Sequence, residues 1–297
     1  MVNQVYCSET HGLRSIASRE VADQRRIKGA LPLTSLSKAL TLLIRLRELS
    51  RPMTLTELTR ATGLKKATTL RLLVTLGKFR FVERDEQSKK FKIGVNAYYV
   101  GSGFLSFGNR EKMAGIMRRL VAECKHTITL GVLDQTSVLF LERLDGTERV
   151  RVTVNVGSRS PAYASASGKV LLAGLADDEI RKRLKLVRFR RFTPSTLPSL
   201  DAFLSEIAQV RKRGYAINNE ESGRGLYVLA VAVTDNAGNH VAALAAASPA
   251  GFLRYKEKAA ILKSLKKAAT ELGQFWLENF LGGEQAGDKA REALGPV

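Results

Sequence analysis

Residues 55–73, LTELTRATGLKKATTLRLL, contain two short helical patterns that are separated at Gly63. Thr54, with Glu57 three positions later, forms a capping box that predicts the start of the first helix. Gly63 suits the left-handed position that follows a helix end. The second helix is predicted to run from about residue 65 to residue 78. Two helices joined by so tight a turn are typical of a helix-turn-helix.

The second of these helices has two chemically different sides. Its inward side is predicted to consist of Thr69, Leu72, Leu73 and Leu76. The opposite side offers hydrogen-bond donors and no acidic residue, through Thr68, Arg71, Thr75 and Lys78. Because the second helix of such a motif is the one that enters the DNA major groove, we predict that this side contacts DNA.

A hairpin is predicted directly after this helix, with strands at residues 79–84 and 90–93, which makes the motif a winged helix-turn-helix. A further helix is predicted before the helix-turn-helix, with an apolar stripe at Leu36, Leu40, Leu43 and Ile44. The alternative is a generic three-helix core with solvated charges. The predicted DNA-binding residues are Thr54, Lys65, Lys66, Thr68, Arg71, Thr75, and Lys89 and Lys90 at the hairpin tip.

Charge supports an acidic partner, because the chain of 297 residues has a net charge of +20. Residues 31–94 concentrate it, with 14 Lys/Arg against 5 Asp/Glu. Two cysteines cannot form a disulfide framework, and no apolar run is long enough for a membrane span, so we expect a cytoplasmic protein. The alternative class is an RNA- or membrane-surface-binding structural protein. The sequence argues against it, because the basic segment has no aromatic platform for RNA bases and no basic amphipathic helix with an apolar membrane face.

The remaining chain predicts an α+β domain, because strands, then helices, then strands follow one another and favour a mostly antiparallel sheet. The domain boundaries are predicted as follows: a disordered extension over 1–30, the winged domain over 31–94, a linker helix over 95–110, the α+β domain over 111–280 and a disordered tail over 281–297.

No residue set predicts catalysis, a metal site or a cofactor. The three histidines lack zinc-ligand spacing. Glu220 and Glu221 are predicted to lie in a solvated turn. By contrast, residues 159–169 pass through a loop into a helix start that is rich in small residues. Free backbone amides at such a start would hold a carboxylate, although an ordinary capped helix fits this stretch equally well.

The winged segment, together with VGSRSPAYASASGKVLLAGL and GYAINNEESGRGLYVLAVAVTDNAGNHVAALAAASP, resembles the IclR family of bacterial transcription regulators over residues 33–280. The resemblance implies a GAF-like effector domain that binds a small organic acid, and homodimers or homotetramers on a palindromic DNA operator. The effector-binding residues that it implies are Tyr163, Ser165, Ala166, Ser167, Asn218, Val228, Ala245 and Ala247. Alanine at both of the last two positions suggests a pocket with a larger apolar wall, which suits an aromatic or longer acid.

Overall fold

A computed structural model describes residues 4–6, 33–49, 51–103, 110–148, 151–251 and 255–280. The chain divides into two compact units. One is Ser8–Ser106; the other combines Phe107–Val297 with Met1–Cys7, which includes the strand β1, Gln4–Tyr6. No helix in the described ranges combines the length and the apolar character that a bilayer span requires.

The unit Ser8–Ser106 is a helix-turn-helix followed by a hairpin, as expected. Its described elements are α1 Thr34–Glu48, α2 Leu55–Thr62, α3 Lys66–Lys78, β2 Val82–Arg84, β3 Phe91–Ile93 and α4 Val95–Ser102. Strands β2 and β3 pair antiparallel. Helices α1, α2 and α3 and the hairpin share one apolar core, made of Leu42, Leu46, Met53, Leu58, Leu73, Val82 and Phe91.

Helix α2 is capped at both ends, and the cap at its C-terminal end forms the turn that leads into α3. The Thr54 hydroxyl accepts a hydrogen bond from the Glu57 amide at 3.3 Å, and the Thr54 amide donates to Glu57 Oε2 at 2.8 Å. Together with the Arg51 guanidinium, this amide lowers the pKa of Glu57 to about 2. Gly63 ends α2 with a φ of 68°, a conformation that other residues adopt only with strain.

The structure differs from the predicted stripe on α1. Leu42 and Leu46 are the buried residues of this helix, whereas Leu36, Leu40 and Ile44 are exposed. The helix is apolar around most of its circumference, so periodicity alone does not determine which face meets the core.

The start of the predicted hairpin also differs. Residues 79–81 are not a strand, because Phe79 caps the end of α3 and Arg80 adopts a left-handed conformation with a φ of 54°. The first hairpin strand therefore begins only at Val82.

The second unit has the predicted α+β character. Its described elements after β1 are α5 Arg110–Cys124, β4 Thr127–Asp134, β5 Ser137–Leu144, β6 Arg151–Thr153, β7 Arg159–Pro161, a single 3-10 turn Ala162–Ala164, α6 Ala166–Ala173, α7 Asp177–Leu184, α8 Leu200–Arg213, β8 Ala216–Asn219, β9 Leu226–Thr234, β10 His240–Pro249 and α9 Tyr255–Phe280. Six strands form one sheet in the order β7-β5-β4-β10-β9-β8, and all neighbouring pairs are antiparallel.

Helices cover both faces of this sheet. Residues of α6, α7 and α8 share one apolar cluster with Ala230, Ala243 and Ala245. The alternate residues of the same strands, such as Leu229 and Leu244, are buried on the opposite face, where α5 and α9 pack. Strands buried on both sides explain why β9 and β10 are almost continuously apolar.

The N-terminus contributes a strand that was not predicted. Gln4–Tyr6 pairs in parallel with Arg151–Thr153, which departs from the predicted disorder of residues 1–30. The structure does not describe the other residues of that extension up to position 30. The predicted disordered tail, 281–297, also lies outside the described residues. The predicted linker helix is observed over Val95–Ser102, and residues 104–109 of it also lie outside them.

Candidate functional site

The outer side of α3 is basic and open to solvent. Arg71, Thr75 and Lys78 are exposed on it, and Thr68 is half-buried. Thr69 and Leu73 form the buried side, and Leu72 and Leu76 are partly buried against the same core. The predicted division of α3 into two sides therefore agrees with the burial of its residues.

The residues that lead into α3 are placed in different ways. Lys65 and Lys66 are exposed at its N-terminus, and the first turn of the helix contains no acidic residue. Thr54 is half-buried, because its side chain caps α2. The structure gives Thr54 a structural role at the start of the motif, in addition to the predicted contact with DNA.

Two apolar side chains on the outer side of α3 were not predicted to be there. Leu70 is 44% exposed and Val74 is 65% exposed. They are separated by one helical turn, and both lie on the same side of the exposed Arg71 on a helical projection. The predicted inward set, which includes Thr69 and Leu76, already leaves both residues on the other side of the helical projection, so their apolar character was the signal that was not used.

The hairpin tip is less basic than the sequence suggested. Lys89 is exposed, but its ammonium group lies 3.1 Å from Glu86 Oε2, and Lys90 is half-buried. Asp85 accepts hydrogen bonds from the Ser88 amide and hydroxyl, which lower the pKa of its carboxyl group. Two carboxylates therefore belong to this tip, and one of them pairs with Lys89.

The second predicted site begins at the N-terminus of α6. The Ser165 hydroxyl caps this helix by accepting a hydrogen bond from the Gly168 amide at 3.0 Å. Since the Gly168 amide is thereby occupied, the open first-turn amides are those of Ala166 and Ser167, which have no helical carbonyl to bind. Gly168 is required by packing, because an added Cβ would lie 2.2 Å from the Ala162 carbonyl oxygen.

The sheet residues of this site lie on the face that α6 covers. The strand register aligns Asn218 with Val228 and Val228 with Ala247, and these three residues occupy neighbouring strands. Ala245 lies two residues before Ala247, on the same face, and shares the apolar cluster with Ala166. The structure thus brings Val228 and Ala245 into the cluster against which α6 packs, whereas Ala247, on the same face, packs against Val152 of β6.

Tyr163 and Asn218, like Ser165, already have hydrogen-bond partners within the protein. The Tyr163 hydroxyl donates to the Arg190 carbonyl at 3.1 Å, and its ring lies 4.5 Å from that of Phe189. The Asn218 amide group donates to the Ala164 carbonyl at 3.2 Å and to the Ser222 hydroxyl at 2.7 Å. Asn218 therefore links the end of β8 to the turn that precedes α6.

A buried ion pair behind α6 was not predicted. Lys169 is 1% exposed, and its ammonium group donates to Glu221 Oε1 at 2.6 Å and to the Ile217 carbonyl at 2.8 Å. Burial raises the pKa of Glu221, and the charge of Lys169 opposes that shift. Glu221 is thus not in the solvated turn that was predicted. The one lysine in the apolar helix ASGKVLLA was the signal for a buried partner.

Family models match both units. One, described as the C-terminal domain of the bacterial transcriptional regulator IclR, covers residues 106–274; the other, the IclR helix-turn-helix domain, covers residues 35–86. The regulator KdgR of Escherichia coli is 34% identical over 205 residues, which span 69% of this chain and 77% of KdgR.

Solved structures share the fold. An IclR transcriptional regulator from Alicyclobacillus acidocaldarius has a TM-score of 0.75 at 24% identity, covering 82% of this chain and 99% of that one. An IclR homologue from Microbacterium hydrocarbonoxydans, complexed with 4-hydroxybenzoate, has a TM-score of 0.68 at 24% identity, covering 80% of this chain and 98% of that one. From the two family models and the identity with KdgR, this chain belongs to the IclR family of DNA-binding transcription regulators.

Proposed function

We propose that this protein binds a palindromic operator as a homodimer or homotetramer and that a small organic acid modulates this binding. The observation that carries the proposal is the outer side of α3, where Arg71 and Lys78 are exposed on a helix without acidic residues. The capping box of α2 and the turn at Gly63 hold this helix in a defined position on its unit. Such a surface is complementary to the edges of bases and to phosphates.

Exposed apolar surface on the same unit supports an oligomer. Leu36, Leu40 and Ile44 form a solvent-exposed stripe along α1. Tyr98 and Tyr99 on α4 are also exposed, at 67% and 75%. Apolar surface exposed in this way is typical of an interface, and a second copy of this chain would bury it.

The geometry at α6 supports an acid as the effector. The amides of Ala166 and Ser167, at the positive end of the helix dipole, would bind a carboxylate. Ala245 and Ala247 on the same sheet have small side chains, and we expect a ring or a chain of the acid to be accommodated beside them. The 4-hydroxybenzoate complex of the homologue with the same fold is consistent with an aromatic acid.

The DNA part of the proposal is tested by selecting genomic fragments with the purified protein and footprinting those that are recovered. We expect two inverted half-sites whose centres are about one helical turn, ~34 Å, apart or a multiple of that. Arg71→Ala should cost ~1–3 kcal/mol on this site and relax the preference at one base position. Arg188→Ala removes an exposed arginine of the other unit and serves as the matched control. A single asymmetric site, or equal affinity for single strands, would contradict the proposal.

The effector part is tested by calorimetry with a panel of acids. We expect aromatic and longer acids to bind more tightly than two-carbon acids such as glyoxylate. Ala166→Leu should abolish the effect of the acid on DNA binding, because the new side chain fills the space beside the amides, and operator affinity should be unchanged. Ala237→Leu, at an exposed turn, is the control. Tightest binding of glyoxylate would contradict the argument from the alanines, and a normal response of Ala166→Leu would place the site elsewhere.

A further inference from the structure

The outer side of α3 combines a charged and an apolar surface. Val74 is the most exposed large apolar residue of this helix, at 65%, and Leu70 lies one turn before it. Arg71 lies between them in sequence and is exposed on the same side. An isolated exposed apolar residue needs no explanation, but two of them at a spacing of four residues form a continuous apolar strip.

The charge around this strip indicates what covers it. Lys65, Lys66 and Lys78 are exposed at the two ends of α3, and the helix contains no acidic residue. A second copy of the same helix would bring these like charges together, which disfavours a contact between two α3 helices. Duplex DNA is complementary to the charges, and its major groove also offers an apolar group, the C5 methyl of thymine.

We propose that Leu70 and Val74 read thymine methyl groups next to the base that Arg71 contacts. This inference rests on the proposed function and adds to it the base composition of each half-site. The two side chains are separated by about 6 Å along the helix axis. Because base pairs are stacked about 3.4 Å apart, the two thymines should lie one or two base steps from each other.

The test replaces single thymines of the selected operator by deoxyuridine, which removes only the methyl group. With the wild-type protein we expect a loss of about fourfold in affinity at each contacted thymine and no change at the others, as for one buried carbon group. With Val74→Ser, one of these sensitive positions should become insensitive, and with Leu70→Ala the other should. Leu186→Ala removes a side chain that is 79% exposed in the other unit, and it should keep the wild-type pattern.

Several results would overturn the inference. Wild-type binding that is insensitive to deoxyuridine at every position would exclude methyl reading, and so would variants that keep the full wild-type pattern. A change of oligomeric state in Val74→Ser, measured by analytical ultracentrifugation, would show that the strip is covered by protein. Failure to select any duplex would instead refute the proposed function, so the two failures can be distinguished. Circular dichroism verifies that each variant is folded.

Discussion

The buried ion pair behind α6 allows a quantitative prediction. Lys169→Met keeps an unbranched side chain of similar length but removes the charge that lies 2.6 Å from Glu221 Oε1. The other carboxylate oxygen, Glu221 Oε2, is buried and has no hydrogen-bond partner within the described part of the chain. Removing one partner of a buried pair costs about 3–5 kcal/mol, because the remaining charge is left unpaired. For a domain of this size, the midpoint of thermal unfolding should fall by roughly 6–20 °C.

The loss of stability should depend on pH in a defined direction. Burial already raises the pKa of Glu221, and without the charge of Lys169 it should rise further. A carboxyl group whose pKa is higher in the folded state is protonated in both states below its unfolded pKa. As the pH increases from the unfolded pKa to the folded one, the folded state becomes less stable relative to the unfolded state. The deficit of Lys169→Met should therefore be smallest near pH 4 and increase towards neutral pH.

Urea unfolding of the full chain, followed by circular dichroism at several pH values, measures this deficit. The double variant Lys169→Met, Glu221→Leu should recover much of the lost free energy of unfolding, because the buried pair is removed as a whole. Glu206, which lies 3.7 Å from the Lys169 ammonium group, keeps its ion pair with Arg213 in this variant. Lys267→Met, an exposed lysine on α9, should match the wild type. If Lys169→Met were as stable as the wild type at neutral pH, or if its deficit did not change with pH, the reasoning would be refuted.

Three further predictions concern single side chains. Thr54→Ala should lower the free energy of unfolding by ~1 kcal/mol in urea titrations, because it removes the cap of α2; an unchanged midpoint would contradict this. Gly168→Ala should destabilise by ~1–3 kcal/mol and weaken acid binding in calorimetry, since its Cβ would overlap the Ala162 carbonyl, whereas Gly115→Ala, with open space around the added atom, should not. Burial raises the pKa of Cys124 to about 11, so peptide mass spectrometry should show its alkylation at pH 8 only after unfolding.

The elements that carry a clear local signal, such as a helix cap or an apolar run, could be predicted from the sequence. The capping box at Thr54 and the glycine at position 63 defined α2, and the apolar segments that form β9 and β10 were predicted as strands. The small residues around Ala166 similarly indicated the helix start that the structure shows. In these cases the local backbone chemistry and the tertiary packing favour the same conformation.

Features that depend on a distant partner could not be predicted. Glu221 was assigned to solvent because its partner, Lys169, lies far away in the chain and on another element. The exposed face of α1 was ambiguous, because Leu36 and Leu42 are equally apolar and only the packed core separates them. β1 was missed because a strand of three residues has too few positions to establish an alternating pattern.

The pairing of Gln4–Tyr6 with Arg151–Thr153 has a consequence for how copies of this chain can associate. Residues 7–33 connect β1 to α1, and at ~3.3–3.6 Å per residue this segment can span at most about 90–95 Å. That reach exceeds the ~40 Å diameter of a compact domain of about 170 residues. One chain can therefore donate its N-terminal strand to β6 of another chain with the same hydrogen bonds, which is domain swapping. Pairing within one chain competes with pairing between two chains. Which of them predominates depends on whether the protein concentration exceeds the effective concentration of the tethered strand.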